Sequence, residues 1–136
     1  VSLGVDGSAS NDCSNLIQEV RQAMLLQRVG QTTQPLSHEV ALNWATVGGA
    51  RVLRRPELGH LQIGAAADLA LFELTEPRFS GVEDPLAGLI LSGAHRASRV
   101  MVNGHWQVVG GELANVDLDA LVHEHNNLAI QLLQAN

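Results

Sequence analysis

The chain has 136 residues, of which 46% are hydrophobic and 16% are charged. This composition argues against intrinsic disorder, and the formal net charge of −6 argues against nucleic acid or an anionic membrane as the main partner. No apolar stretch approaches the roughly 18 residues of a membrane span. The single cysteine, Cys13, excludes an internal disulfide and fits a reducing cytosol.

The first residues form a short apolar run that ends in one acid. Residues 1–5 are typical of a buried strand of the parallel type, and Asp6 follows directly. Barrel enzymes place catalytic groups at this edge, where a strand passes into a loop. Because such a strand needs partners on both sides and has no neighbour in the sequence, we expect the chain to be the tail of something larger.

Two helices are predicted after the small-residue loop at 7–13. The first runs to about Val29, and Asp12 or Ser14 can cap it. The second begins after Ser37 and continues to about Leu53. It contains a Gly-Gly-Ala stretch that permits another backbone to approach closely.

The second half of the chain predicts strands and a final helix. Residues 67–74 indicate a strand, and residues 75–88, which contain two prolines, indicate a loop. The clearest hairpin spans 99–109, because an Asn-Gly pair separates two alternating apolar runs. A last helix follows, capped by Asp117 or Asp119.

Four motifs in this order resemble the amidohydrolase superfamily, and in particular its cytosine/guanine deaminase and chlorohydrolase branch. They are Leu-Gly-Val-Asp-Gly-Ser-Ala-Ser-Asn-Asp at 3–12, the helix ending Ala-Thr-Val-Gly-Gly-Ala-Arg at 39–51, Leu-Gly-His-Leu-Gln-Ile-Gly-Ala-Ala-Ala-Asp-Leu-Ala-Leu at 58–71, and Arg-Val-Met-Val-Asn-Gly at 99–104. Any one of them alone is weak, but together they cover nearly the whole chain.

The resemblance implies an α/β fold, namely the C-terminal fragment of a (β/α)8 TIM barrel with the C-terminal share of a small composite β-sandwich domain. Residues 1–56 would form the last barrel strand and the following helices. Residues 57–116 would belong to the β-domain, and residues 117–136 to a terminal helix. The family's His-x-His pair and its other metal-binding histidines would lie outside this chain, which alone would be inactive.

The resemblance also implies a metal-dependent hydrolytic deaminase. Its substrate would be an amino-substituted N-heterocycle such as 8-oxoguanine, isoxanthopterin or guanine, and metal-bound hydroxide would attack the ring carbon and release ammonia. Asp6 would be both metal ligand and catalytic proton carrier. The metal would be zinc, or alternatively iron, with one ion per full-length subunit. Without the resemblance, an ordinary Asp-Gly turn is the more frequent explanation of Asp6.

Other residues could contribute to this site. Ser10 and Asn11 lie on the loop after Asp6 and could bind substrate, although loop packing and helix capping are the slightly more frequent explanation of such residues. Cys13 reads as a small buried residue. His123 and His125 imitate a metal-binding pair, but residues two apart on a helix do not share a face.

Alternatives remain open at the level of function. The nearest is a triazine chlorohydrolase or another amidohydrolase of the same branch. A different class is a non-catalytic binding or assembly module, because the chain holds only one candidate metal ligand. As partners the resemblance implies the remainder of the barrel and, for the full-length protein, a second copy in a homodimer, with a cytoplasmic location.

Overall fold

The computed structural model describes residues 1–7, 9–11, 13–29, 35–94 and 96–135. Within them the chain forms five α-helices and one small antiparallel sheet. The helices are α1 (Leu16–Val29), α2 (His38–Ala45), α3 (Val47–Val52), α4 (Pro85–Leu91) and α5 (Leu118–Gln134), and the strands are β1 (Leu69–Leu71), β2 (Arg99–Val102), β3 (His105–Val109) and β4 (Glu112–Leu113). None of the described helices is long and apolar enough to cross a membrane.

Helix α1 confirms the first predicted helix, but its cap differs from the prediction. The Oδ1 atom of Asn15 accepts a hydrogen bond from the Ile17 backbone N–H at 3.0 Å. A capping side chain must reach the second or third N–H of the helix, and the helix begins at Leu16, so Asn15 and not Ser14 is in reach. Asp12, the other predicted cap, lies outside the described residues.

The second predicted helix is present but interrupted. Ser37 caps α2 as predicted, since its Oγ accepts from the Val40 N–H at 3.3 Å. At Thr46 the backbone leaves the helical region, and α3 begins at the next residue. Gly59 packs against this break, where a Cβ would lie 2.7 Å from the Thr46 carbonyl group.

Helix α4 begins inside the segment 75–88, which the sequence predicted to be a loop. The Oδ1 atom of Asp84 accepts from the N–H groups of Leu86 at 2.9 Å and Ala87 at 3.2 Å, and Pro85 occupies the first helical position. An acidic cap followed by proline is a standard helix start. The prediction was wrong here because Asp-Pro also begins turns.

The buried core joins three of the helices. Val20 and Met24 of α1, Ala41 of α2 and Ile90 of α4 are completely buried and form one cluster. Leu3 packs against this cluster from the N-terminal segment. Leu3 therefore anchors the N-terminal segment to the helical core.

Residues 1–5 are unpaired in this chain, and the strand predicted for them depends on neighbours in the rest of the barrel. The segment pairs with none of the described strands, and Val1 is 82% exposed. A strand exists only with a hydrogen-bonded neighbour, and the sheet of this chain is built from later residues. The close approach expected at the glycine pair is confirmed, because a Cβ on Gly48 would lie 2.3 Å from the Val1 carbonyl oxygen.

The four strands pair antiparallel in sequence order. The predicted hairpin is confirmed: Asn103 and Gly104 both have positive φ, 48° and 78°, as the two-residue turn between β2 and β3 requires. The Oδ1 atom of Asp68 accepts the Asn103 N–H at 2.6 Å, and the Ala67 carbonyl accepts the Gly104 N–H at 3.1 Å. The segment before β1 thus holds the hairpin turn.

Helix α5 confirms the last predicted helix, with Asp117 as its cap. Its Oδ1 accepts from the Ala120 N–H at 3.0 Å. None of the residues of α5 is buried, although its sequence carries an apolar stripe. Most leucines of this stripe are about half exposed or more, which is unusual for so apolar a helix.

Candidate functional site

Asp6 ends the segment that Leu3 anchors to the helical core. It is exposed, and its φ of 58° places it in the left-handed region, which aspartate tolerates better than most residues. Its Oδ1 accepts the N–H of Gly7 at 2.8 Å. No described residue hydrogen-bonds the other carboxylate oxygen, so that oxygen is available to a ligand. The local geometry presents one carboxylate outward from a fixed backbone.

The loop after Asp6 is held by hydrogen bonds in both directions. The Gly7 carbonyl accepts from the N–H groups of Ser10 at 2.9 Å and Asn11 at 3.0 Å. The Asn11 Oδ1 accepts from the N–H groups of Cys13 at 3.1 Å and Ser14 at 3.2 Å. These bonds connect Gly7 with Ser10 and Asn11, and Asn11 with the residues that precede α1.

Ser10 and Asn11, the two residues predicted to bind substrate, differ in exposure and in their hydrogen bonds. Ser10 is exposed. Asn11 is half-buried, and its Nδ2 donates to the Oε1 of Glu19 at 2.6 Å while its Oδ1 is engaged by the loop backbone. The amide of Asn11 is therefore directed at α1. Cys13, expected to be buried, is exposed, because the helix begins three residues later and leaves it on the loop.

The described residues do not form a complete metal centre. Among residues 1–7, 9–11, 13–29, 35–94 and 96–135, no group of three or more His, Cys, Asp or Glu side chains converges. His123 and His125 lie on α5, and His60 contacts the Leu58 carbonyl oxygen through Nδ1 at 3.0 Å. As a metal ligand, Asp6 would thus act together with donors other than these.

An ionisable pair lies between the start of α2 and the cap of α4. The Nε2 atom of His38 is 2.8 Å from the Oδ2 of Asp84, an ion-pair distance without the angle of a hydrogen bond. The N–H groups of Ala87 and Leu86 at the start of α4, assisted by His38, hold the pKa of Asp84 below its usual value. This pair caps and connects helices, and it is not part of the Asp6 loop.

A cleft borders the end of the loop that follows Asp6. Cys13 and Ser14 line it, and Asp6 does not. It encloses about 900 Å³ between the start of α1, the end of α2 and the strands β1 and β2. Its lining is mostly apolar, with Leu16, Leu42 and Phe72 among the residues. Polar side chains, among them Ser14, Asn15, His60 and Asp68, also line it, and its apolar lining provides packing surface between the helices and the sheet.

The chain belongs to the amidohydrolase family, whose model matches residues 1–107. This finding confirms the predicted family and fold class. The described helices and small antiparallel sheet are the part of that fold which this chain contains.

Two of the similar curated proteins are deaminases. The 8-oxoguanine deaminase of Pseudomonas aeruginosa is 53% identical over 133 residues, covering 98% of this chain and 30% of the relative. An isoxanthopterin deaminase from an unknown prokaryotic organism is 34% identical over 150 residues, covering 98% of this chain and 31% of the relative.

A solved structure adds a metal to this comparison. The atrazine chlorohydrolase of Arthrobacter aurescens TC1, in a mutant form complexed with zinc and atraton, superimposes with a TM-score of 0.84 at 41% identity. The match covers 90% of this chain and 28% of that one. The chain therefore spans about 30% of the length of the relatives that it matches.

Proposed function

We propose that the chain acts as one segment of a metal-dependent hydrolytic deaminase for an amino-substituted N-heterocycle such as 8-oxoguanine, isoxanthopterin or guanine. The observation that carries the proposal is the 53% identity to 8-oxoguanine deaminase over 98% of the chain. The exposed, backbone-fixed carboxylate of Asp6 agrees with it, because hydrolytic deamination needs a group that carries protons to the leaving nitrogen.

The surface of the chain supports a role within a larger barrel. The chain exposes 10099 Å², whereas a compact monomer of 14.5 kDa exposes about 6,900 Å². The excess of about 3,200 Å² exceeds the roughly 800 Å² that each partner covers in a standard protein interface. Large apolar side chains such as Ile63 and Val1 lie in this exposed surface. The remainder of a (β/α)8 barrel is a cover of sufficient size.

Asp6 is proposed as a ligand of zinc, or alternatively of iron. A carboxylate oxygen is an accepted zinc ligand, and Oδ1 is already oriented by the Gly7 N–H. When bound, the metal would supply activated water close to neutral pH. The carboxylate of Asp6 would accept a proton from the attacking water, hold it, and transfer it to the amino group, which then leaves as ammonia. Ser10, exposed on the same loop, remains the proposed substrate contact.

A triazine hydrolase is the second candidate. The observation that favours it is the likeness to the atrazine chlorohydrolase complexed with zinc and atraton, at a TM-score of 0.84. The two candidates differ in the leaving group, ammonia in one and chloride in the other. In both, the carboxylate of Asp6 would accept a proton from the attacking water, but only the amino group needs that proton in order to leave, since chloride departs as an anion. The homodimer and the cytoplasmic location remain predictions.

A chimera tests the proposal directly. The matching C-terminal 30% of the Pseudomonas aeruginosa 8-oxoguanine deaminase is replaced by this chain, and ammonia and chloride release are measured with 8-oxoguanine, isoxanthopterin, guanine and atrazine. We expect ammonia release from a purine or pterin. In the Asp6→Asn variant, kcat should fall by orders of magnitude at unchanged thermal stability, since the amide cannot accept the proton.

The matched control is Asp119→Asn, the same isosteric change on the exposed surface of α5. It should leave kcat unchanged. A folded chimera that deaminates none of these compounds would contradict the proposed function. A chimera in which Asp6→Asn retains full activity would contradict the role of Asp6 alone.

A further inference from the structure

Asn11 and Glu19 form a contact that joins the loop after Asp6 to the first helix. The Asn11 Nδ2 donates to the Glu19 Oε1 at 2.6 Å, across eight residues of sequence. Both side chains are half-buried. A charge-assisted hydrogen bond that is partly removed from water is stronger than one between neutral groups or one on the open surface.

Glu19 lies on a helix that the hydrophobic core holds in place. It belongs to the first turns of α1, directly before Val20, which is fully buried in the helical core. A carboxylate near a helix N-terminus is also favoured by the helix dipole. The contact with Asn11 therefore ties the loop to an element that the core holds in place.

The other atoms of Asn11 extend this connection towards Asp6. The Asn11 N–H donates to the Gly7 carbonyl at 3.0 Å, and the Gly7 N–H donates to the Asp6 carboxylate at 2.8 Å. Asn11 thus contacts α1 with its side chain and the neighbour of Asp6 with its backbone. Both ends of its side-chain amide already form hydrogen bonds within the chain, and a residue that binds substrate has no need of such internal bonds.

We propose that Asn11 and Glu19 are positioning residues that fix the direction of the Asp6 carboxylate, and that Asn11 does not bind substrate. The inference rests on the proposed function, in which Asp6 carries a proton. Proton transfer depends on the placement of the carboxylate, and a displacement of about 1 Å costs about 100-fold in rate. Loss of the contact should therefore lower kcat and leave KM nearly unchanged.

The test uses a broken and a restored contact in the chimera. In Asn11→Asp two carboxylates face each other, so the hydrogen bond is lost, and Glu19→Ala removes the acceptor. The double variant Asn11→Asp/Glu19→Gln restores the bond with reversed polarity, because Gln can donate to Asp. Asp at position 11 can still accept from the N–H groups of Cys13 and Ser14. The control is Glu39→Gln, an exposed acid in the first turn of α2.

We expect kcat to fall about 10- to 100-fold in both single variants with KM within about twofold, and the double variant to recover most of the loss. Glu39→Gln should match the unmodified chimera. A rise in KM at retained kcat in Asn11→Asp would instead identify a substrate contact. A lower thermal midpoint with full kcat, or a double variant no better than Asn11→Asp, would also overturn the proposal.

Amide hydrogen exchange gives a readout that does not need activity. In Asn11→Asp the Ser10 N–H, which donates to the Gly7 carbonyl, should exchange at least about tenfold faster, and the double variant should restore its protection. Unchanged exchange would overturn the proposal. An inactive but folded chimera would refute the proposed function, while the exchange rates would still decide whether the contact holds the loop.

Discussion

Alanine substitution at two neighbouring glycines of α3 tests how the segment before Asp6 is held. A Cβ on Gly48 would lie 2.3 Å from the Val1 carbonyl oxygen and 3.1 Å from the Asn43 carbonyl oxygen, and both are backbone atoms. A Cβ on Gly49 would lie 3.6 Å from the Ser2 Oγ, which is ordinary contact. Only the first substitution therefore requires the backbone to move.

The magnitude follows from two opposing terms. Each Gly→Ala change gains up to about 1 kcal/mol of helix propensity. The overpacking at Gly48 costs about 1 to 3 kcal/mol. Since the first term is shared, the free energy of unfolding should differ between the variants by about 1 to 3 kcal/mol, with Gly49→Ala the more stable. Gly48→Ala should also lower kcat, because it displaces the segment that carries Asp6.

Urea unfolding of the chimera, followed by circular dichroism, measures this difference, and equal m-values show that both variants unfold between the same states. The chimera is used because Val1 is then joined to the barrel part of the Pseudomonas aeruginosa enzyme and is not a free chain end. If the two variants had the same free energy of unfolding and the same kcat, the close contact between the Val1 backbone and Gly48 of α3 would be refuted.

Three further predictions concern the β-domain, the helix cap and the metal. Asp68→Ala removes the acceptor of the Asn103 N–H, so it should lower the free energy of unfolding by about 1 kcal/mol and speed amide exchange at Asn103; unchanged exchange would show that the turn is held otherwise. The pKa of Asp84 is lowered in the folded state, so its stabilisation is present above the unfolded-state pKa and is lost as pH falls through the folded one. The difference in thermal midpoint between the unmodified chain and Asp84→Ala should therefore close below about pH 4, and a constant difference would refute this cause. Calorimetric titration of the 136-residue chain with zinc should give no stoichiometric binding, since Asp6 would be its one contribution to the site; tight binding would show that the chain holds further ligands.

Local signals predicted most of the elements in this chain. The Asn-Gly turn predicted the hairpin because those two residues adopt positive φ at little cost. Ser37 and Asp117 predicted two helix starts because their side chains can replace the missing backbone acceptors. The segment at 85–91 was missed because a seven-residue helix contains too few turns to show a periodicity.

The site was harder to predict, because its geometry depends on contacts between distant residues. Nothing in the motif around Asp6 indicated that the Asn11 side chain would bond to Glu19. The presence of Glu19 in the first turn of α1 could have indicated an acceptor for a side chain of the preceding loop. The strand predicted for residues 1–5 stays a prediction, since a buried apolar pattern does not specify its neighbours and the strands of this chain do not pair with it.

The left-handed backbone of Asp6 is held by contacts of the residues before it and of the residues after it in the sequence. A left-handed φ costs a non-glycine residue roughly 1 to 2 kcal/mol, so it persists only where the surroundings fix it. On one side Leu3 packs on the helical core and Val1 lies over Gly48. On the other side Asn11 joins the loop to α1. Both supports are helical, which makes the helix layer of this chain responsible for the direction of a carboxylate that would act in the barrel.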